Sequence, residues 1–207
     1  MRNLAKLAAV AGMLLAPGAA QAIVITPAVQ YTSTNTLFDF LPYTAGYTFS
    51  LSAPVTVNAL GYWDDGRANN HQVGIWDSSS ALIASTTVMG TDLLVGNFRW
   101  GAIASLTLNA GQYTIGGEYL GNSDTFPNQA TGVTTIPEYT WGVDKQLFGA
   151  GLNLPTSGPF GYGQNGILVA NFSVGSNDGS NDVPEPITLS LLGAGLAGIG
   201  MARRRRG

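Results

Sequence analysis

The chain contains no cysteine among its 207 residues. Disulfide bonds are therefore excluded, and a folded domain must be held together by burial of its core alone. The same absence excludes cysteine nucleophiles, thiolate metal sites and iron–sulfur clusters supplied by this chain. Histidine occurs once, as His71, so any histidine-dependent catalysis would have to use that residue.

Charged residues are also scarce, at 10%, and the basic ones are unevenly placed. Between positions 23 and 182 there are three basic residues, Arg67, Arg99 and Lys145, against eleven acidic ones, so this stretch has a charge of −8. An acidic surface of this kind repels phosphate backbones. Nucleic-acid binding is therefore not expected.

Glycine and hydrophobic side chains, in contrast, are abundant: there are 28 glycines, and 45% of the residues are hydrophobic. The hydrophobic fraction is sufficient for a packed core. Frequent glycine, few charges and scattered aromatic residues favour short strands joined by tight turns over helices. The length and composition together predict one all-β domain.

Positions 1–22 have the three parts of a secretory signal peptide. Arg2 and Lys6 precede an apolar run at positions 7–16, and the segment closes on the small residues Ala20 and Ala22. Signal peptidase requires small residues at these two places, so we expect cleavage after Ala22. The alternative, a membrane anchor, is disfavoured because the run is too short to cross a hydrocarbon core of about 30 Å and is followed by Pro17.

The other end of the sequence combines a short motif, an apolar segment and a basic cluster. As a helix, positions 187–202 would span roughly 24 Å, slightly less than the hydrocarbon core of a bilayer. Arginine side chains at the end of such a helix can extend to the aqueous interface and so make up the missing length. By the positive-inside rule, these arginines are expected on the cytoplasmic side of the membrane. We therefore expect a transmembrane helix at 187–202 that ends in a stop-transfer cluster of Arg203, Arg204, Arg205 and Arg206.

This orientation leaves the motif on the outer side of the inner membrane, where the signal peptide also sends the preceding domain. The motif consists of Val183, Pro184, Glu185 and Pro186, and a polar linker at 176–182 precedes it. The order of motif, helix and arginine cluster at 183–207 resembles the PEP-CTERM sorting domain of Gram-negative bacteria. That resemblance implies processing by exosortase, which cleaves near the motif and removes the helix, and an association with exopolysaccharide and biofilm. A permanent membrane anchor is the alternative role of the segment.

Positions 23–175 show no persistent helical periodicity, whereas alternating and continuous apolar runs recur between turn-forming residues. Such a pattern predicts a single β-sandwich of jelly-roll type. Positions 124–160 are ambiguous because they are rich in proline, glycine and asparagine. The predicted strands are Val29–Ser33, Gly46–Leu51, Val55–Trp63, Gln72–Trp76, Leu82–Val88, Phe98–Ala104, Gln112–Tyr119, Glu138–Val143 and Ile167–Val174.

Part of this region resembles a second family, a secreted β-sandwich module of unassigned function known as the DUF4082 type. The resemblance covers roughly positions 43–120. It implies a sandwich fold but no established activity. The segments that carry it are Val55–Trp63, His71–Asp77, Ala81–Ser85 and Leu108–Tyr113.

Candidate catalytic residues are few. A Ser–His–Asp site would have to combine His71 with one of Ser78, Ser79 and Ser80, but no nucleophile elbow surrounds these serines. Glu118 and Glu138 are the only glutamates of the domain, and nothing in the sequence sets the separation that a glycosidase needs. We therefore predict no catalytic residues and no required cofactor.

Three aspartates form a candidate calcium site. Asp64, Asp65 and Asp77 lie in turns after strands, and they would bind the ion together with backbone carbonyls if they met at one end of the sandwich. The simpler interpretation is that each carboxylate accepts hydrogen bonds from nearby amides of its own turn.

Aromatic side chains form a candidate glycan-binding set, because flat rings stack on sugar rings. Trp63 and Trp76 lie in apolar strands, where core packing is expected. Trp100, Tyr139 and Trp141 lie nearer to turns and are predicted to be exposed. The sequence as a whole predicts an exported, non-enzymatic protein of the cell surface or extracellular matrix. The alternatives are a carbohydrate-binding or carbohydrate-active sandwich and a calcium-stabilised adhesion module.

Overall fold

The computed structural model describes residues 23–121, 124–158 and 166–175, and within these ranges the chain forms strands and no helix. The predicted signal peptide, linker and sorting segment lie outside the described residues. The strands are β1 Val29–Gln30, β2 Ser33–Leu37, β3 Tyr43–Leu51, β4 Val55–Trp63, β5 His71–Asp77, β6 Leu82–Val88, β7 Leu93–Val95, β8 Phe98–Leu108, β9 Gly111–Tyr119, β10 Phe126–Thr131, β11 Thr134–Thr135, β12 Tyr139–Phe148 and β13 Ala170–Val174.

Two antiparallel sheets make up most of the described structure. One has five strands in the order β12-β3-β9-β5-β6, and the other has four in the order β13-β4-β8-β7. Two short ribbons, β1-β11 and β10-β2, are separate from these sheets. Successive strands often change sheet, as β3, β4 and β5 do, so the two sheets are held together by the chain as well as by packing.

Side-chain alternation along β3 shows why this segment forms a strand with one face inside. Tyr43, Tyr47 and Phe49 are buried, whereas Thr48 and Ser50 are half-buried on the opposite face. Alternate side chains of a strand point to opposite faces of the sheet, so a period of two places one row in the core and the other toward solvent.

The inner faces of the two sheets meet in one hydrophobic core. The ring centroids of Phe49 on β3 and Phe172 on β13 are 5.1 Å apart. The Tyr47 hydroxyl donates a hydrogen bond of 2.9 Å to the Ala170 carbonyl across the same interface. The predicted all-β class and β-sandwich architecture are thus confirmed, while the jelly-roll type stays a prediction.

Most predicted strands are present, although several boundaries differ. Val55–Trp63 and Leu82–Val88 have the predicted bounds. The last strand begins at Ala170 instead of Ile167. Residues 167–169 are buried and lie beside the end of β4, where Trp63 N donates a hydrogen bond of 2.8 Å to Val169 O, but they do not continue the strand. The predicted strand Val29–Ser33 is divided, since β1 covers Val29–Gln30 and β2 begins at Ser33. The rest of β2 and the strands β7, β10 and β11 were not predicted.

Residues 149–158, here called the cover segment, lie on the outer face of the five-stranded sheet. Asn153 N donates to Thr44 Oγ1 at 2.8 Å, and that hydroxyl donates to Gly151 O at 3.1 Å. The segment fits because glycine lies beneath it: a Cβ at Gly116 would lie 3.2 Å from Pro155 Cγ. A side chain at this position would therefore require the cover segment or its neighbours to shift.

Candidate functional site

The three aspartates predicted to bind calcium do not meet. Asp64 and Asp65 follow β4 and begin the loop that leads to the start of β5, whereas Asp77 closes β5. A strand of this length spans about 20 Å, so Asp77 lies at the opposite end of the sandwich. The prediction that they gather is wrong. Among the described residues, no group of three or more His, Asp or Glu side chains could hold a metal ion.

Each aspartate has a local partner instead. Asp64 pairs with Arg99, with Oδ1 3.0 Å from Nε, and Asp65 pairs with Arg67, with Oδ2 2.9 Å from NH1. Asp77 accepts hydrogen bonds from the Ser79 hydroxyl at 2.7 Å and from the amides of Ser79 and Ala81. These bonds, the Ser79 hydroxyl foremost, lower the pKa of Asp77.

His71 is enclosed at the end of the sandwich opposite Asp77. Its Nδ1 lies 3.0 Å from Glu118 O and 3.7 Å from Asp124 Oδ2, and its ring stacks on Tyr62 with centroids 3.7 Å apart. His71 is 6% exposed and Asp124 is 1% exposed. Asp124 also accepts from Leu120 N at 2.8 Å. The adjoining cavity of about 10 Å³ has room for about one water molecule.

This placement separates the candidate residues of a hydrolase site. Ser78, Ser79 and Ser80 follow Asp77 at the far end of β5, so none of them can reach His71. The His71 Nδ1 atom and the Asp124 carboxylate both make contacts with the backbone around them. The arrangement closes one end of the sandwich and does not present a nucleophile–base pair.

Two of the three rings predicted to bind glycans are buried, so the prediction that they are exposed is wrong. Trp100 is 4% exposed because it packs within the buried hydrophobic cluster, where its ring covers Gly61 and its Nε1 donates to Val95 O at 3.2 Å. Tyr139 is 6% exposed and stacks on Phe49 with centroids 5.5 Å apart. Burial also raises the pKa of the Tyr139 phenol.

Trp141 keeps partial exposure. Its ring stacks on Tyr47 with centroids 4.1 Å apart, so one of its faces is covered. No pair of coplanar exposed rings is formed by Trp100, Tyr139 and Trp141. Glycan contact through this set therefore has little geometric support.

A polar groove of about 260 Å³, which the sequence did not predict, lies on the outer face of the five-stranded sheet. Its floor comes from outward positions of β3 and β9, and its walls from the turn at 77–80, from Lys145 and from the cover segment. The alternation along β9 marks Gln112 and Thr114 as outward-facing. The position of residues 154–156, which pack on the outer face of the sheet and line the groove, could not be predicted from the sequence.

The tail of the chain is similar to a known family. Residues 182–206 match the family model described as the PEP-CTERM protein-sorting motif. The chain carries a PEP-CTERM sorting motif. The match spans the predicted motif, apolar segment and arginine cluster, so that recognition is confirmed, while the resemblance to the DUF4082 module stays a prediction.

The sandwich domain lies outside this match. No curated protein and no solved structure matches the chain. In the part of the chain that the structure describes, no helix is long and apolar enough to cross a membrane. The transmembrane helix expected at 187–202 and the cleavage site at Ala20 and Ala22 fall outside that part.

Proposed function

We propose that this chain is an exported, non-enzymatic protein of the cell surface or extracellular matrix. The observation that carries the proposal is the PEP-CTERM sorting motif at residues 182–206, which implies export and a membrane-anchored sorting signal. In this proposal signal peptidase cleaves after Ala22, the apolar segment at 187–202 holds the protein in the inner membrane, and exosortase then cleaves near Val183–Pro186.

The sandwich is the part of the chain that remains after processing. Its charged side chains serve the fold: the two arginines pair with Asp64 and Asp65, and His71 bonds within the sandwich end. This use of polar groups supports a binding or structural role over catalysis. Excess acidic charge keeps such a domain soluble outside the cell. A matrix role beside exopolysaccharide or biofilm follows from the sorting motif as part of the same proposal.

The processing step can be tested by mass spectrometry of the protein from a host that makes exosortase. We expect wild-type protein in the culture medium or on the cell surface, lacking residues 1–22 and the segment from 187 onward. A variant with Pro184→Ala, Glu185→Ala and Pro186→Ala should stay in the membrane fraction with its tail intact, because the processing enzyme no longer recognises it.

The matched control places three alanines in the polar linker, Ser176→Ala, Asn177→Ala and Ser180→Ala, and should be processed like the wild type. A wild-type chain that keeps its tail in the presence of exosortase would contradict the proposal. So would equal processing of the motif variant and the wild type.

A further inference from the structure

The groove on the outer face of the five-stranded sheet has two polar side chains in its floor, Gln112 and Thr114, that the fold itself does not use. Thr48 on β3 pairs with Thr114 on β9, and Gln112 is the next outward residue of β9. The Gln112 and Thr114 side chains form no hydrogen bond with other described residues. An amide and a hydroxyl at adjacent outward positions can therefore donate to and accept from a ligand.

One wall of the groove supplies a carboxylate with a free oxygen. Asp77 binds its own turn through Oδ1, which accepts the hydrogen bonds from Ser79 and Ala81. In the described part of the chain, Oδ2 of Asp77 has no partner. Ser78 and Ser80, on the same wall, are exposed and add hydroxyls.

The opposite wall supplies a cation and a short apolar surface. Lys145 is the one basic residue of the described ranges that forms no ion pair, since Arg67 and Arg99 pair with aspartates. Its Nζ atom makes only a long contact of 3.4 Å with Thr156 O. Beside it, Leu154 and Pro155 of the cover segment offer C–H groups to the groove.

These features together match a neutral polyhydroxylated ligand. A sugar hydroxyl both donates and accepts, and the groove offers a carboxylate acceptor, an ammonium donor, an amide and hydroxyls around it. The apolar surface of Leu154 and Pro155 suits the C–H face of a sugar ring. One positive and one negative wall leave the groove without net charge, and the charge of −8 over positions 23–182 disfavours polyanions.

We propose that this groove binds a neutral saccharide, with Asp77, Gln112, Thr114 and Lys145 as the hydrogen-bonding residues. The groove opens to solvent and has a volume of about 260 Å³, which is small for a ligand site and suits one or two sugar rings of a longer chain. This site is distinct from Trp100, Tyr139 and Trp141, and it does not depend on sorting of the tail.

The test is isothermal titration of the full chain, purified in a detergent without a sugar headgroup so that the detergent does not compete. The probes are neutral hexamers of glucose, mannose, galactose and N-acetylglucosamine, an acidic hexamer of galacturonate and the zwitterion diglycine. We expect at least one neutral hexamer to bind, with an affinity about tenfold or more above that for galacturonate or diglycine.

Two variants connect binding to the groove. Gln112→Ala removes a side chain that bonds nothing in the fold, so it should retain the wild-type Tm. Asp77→Asn keeps the Oδ1 acceptor of the turn but loses its charge, so it should remain folded with a small decrease in Tm. Each should weaken binding about fivefold to tenfold, because a hydrogen bond to the ligand is lost. The control is Gln72→Ala, an outward glutamine of β5 beyond the groove, and it should bind like the wild type.

Three results would overturn the proposal: no binding of any neutral hexamer, tighter binding of galacturonate or diglycine, or unchanged affinity in the folded Asp77 and Gln112 variants. A failure of export or processing leaves this measurement unaffected, because the titration uses purified protein. The two proposals can therefore fail separately.

Discussion

At the scale of single residues, Ser80 occupies a position that normally requires glycine. It has φ of 70° in the turn between β5 and β6. Ser80 N donates to Asp77 O, and Asp77 N donates to Ala81 O, both at 3.0 Å. This is the pattern of a three-residue hairpin loop that ends in a left-handed residue, where a side chain is unfavourable.

Replacing Ser80 by glycine should therefore raise the free energy of unfolding by about 1 kcal/mol, because the strain of the left-handed backbone is removed. Ser78→Gly is the control: Ser78 is not in the left-handed region, so glycine there should give no gain. Urea unfolding of both variants measures the difference. An equal change at the two positions would show that the backbone conformation is not the cause.

The carboxylate of Asp124 is the second residue whose removal should be costly. It accepts from Leu120 N at 2.8 Å and from Asn69 Nδ2 at 2.9 Å, inside the enclosed end that holds His71. Asp124→Ala removes a buried carboxylate and leaves these half-buried donors without this acceptor, which should lower the free energy of unfolding by about 2–4 kcal/mol.

The control for this prediction is Asp39→Ala in the turn before β3, where the hydrogen bonds to Phe40 N and Leu41 N are exposed. We expect a loss of about 1 kcal/mol or less there, since water can replace the carboxylate. Comparable losses in the two variants would contradict the importance assigned to the enclosed end.

At the scale of strands and loops, the cover segment depends on glycine in the sheet below it. Gly116 on β9 pairs with Gly46 on one side and with Gly74 on the other, so three glycines lie side by side across three strands. A Cβ at Gly74 would lie 3.0 Å from Leu152 Cδ2. The absence of side chains lets the cover segment approach the sheet and form one wall of the groove.

Gly116→Val should force the cover segment away from the sheet and lower the free energy of unfolding by about 1–3 kcal/mol, as overpacked sites do. Thr114→Val is the control on the same strand and face, and it should change stability by less than about 0.5 kcal/mol. Urea unfolding measures the stability, and limited proteolysis at residues 149–158 reports the displacement. An undisturbed cover segment in Gly116→Val would contradict this account.

Sequence patterns predicted β4 and β6 with their exact bounds, because a run of apolar and β-branched residues between turn-forming residues is a local property. They missed β7, β10 and β11, which have two to six residues. β10 and β11 pair with the distant strands β2 and β1, and β7 is one side of a very short hairpin with β8. Pro127 within β10 also weakens its strand signal. The exposure of Trp100 was mispredicted for a related reason: nearness to a turn does not show which side chains are covered by other segments.

The groove shows that prediction from the sequence is limited in the same way for a binding site. Its residues come from β3, β5, β9, β12 and two loops, and no sequence spacing brings Asp77 opposite Lys145. The sorting motif, in contrast, is a continuous stretch, and its recognition required no tertiary structure.

At the scale of the whole molecule, the core contains phenols that stay protonated above their usual range. Burial raises the pKa of Tyr31, Tyr47, Tyr62 and Tyr139 above the ordinary value of 10.0. In the unfolded chain these groups ionise at the ordinary value. Their contribution to stability is therefore complete below about pH 10 and is lost as the pH rises above it.

We expect the free energy of unfolding to fall steeply between about pH 10 and about pH 12, with four phenols titrating only when the chain unfolds. Denaturant unfolding over this range, together with ultraviolet absorbance of phenolate, measures both effects. If these tyrosines ionise near pH 10 while the sandwich remains folded, the described burial of their hydroxyls is contradicted.

The proposed function requires that the sandwich domain is carried across the inner membrane. Because the chain has no cysteine, a single Thr91→Cys substitution at an exposed position reports its side of that membrane. The measurement is labelling of spheroplasts with a membrane-impermeant maleimide, with a variant lacking residues 1–22 as the control. The account predicts that Thr91→Cys is labelled in intact spheroplasts and that the control is labelled only after lysis. Labelling of both proteins only after lysis would contradict it.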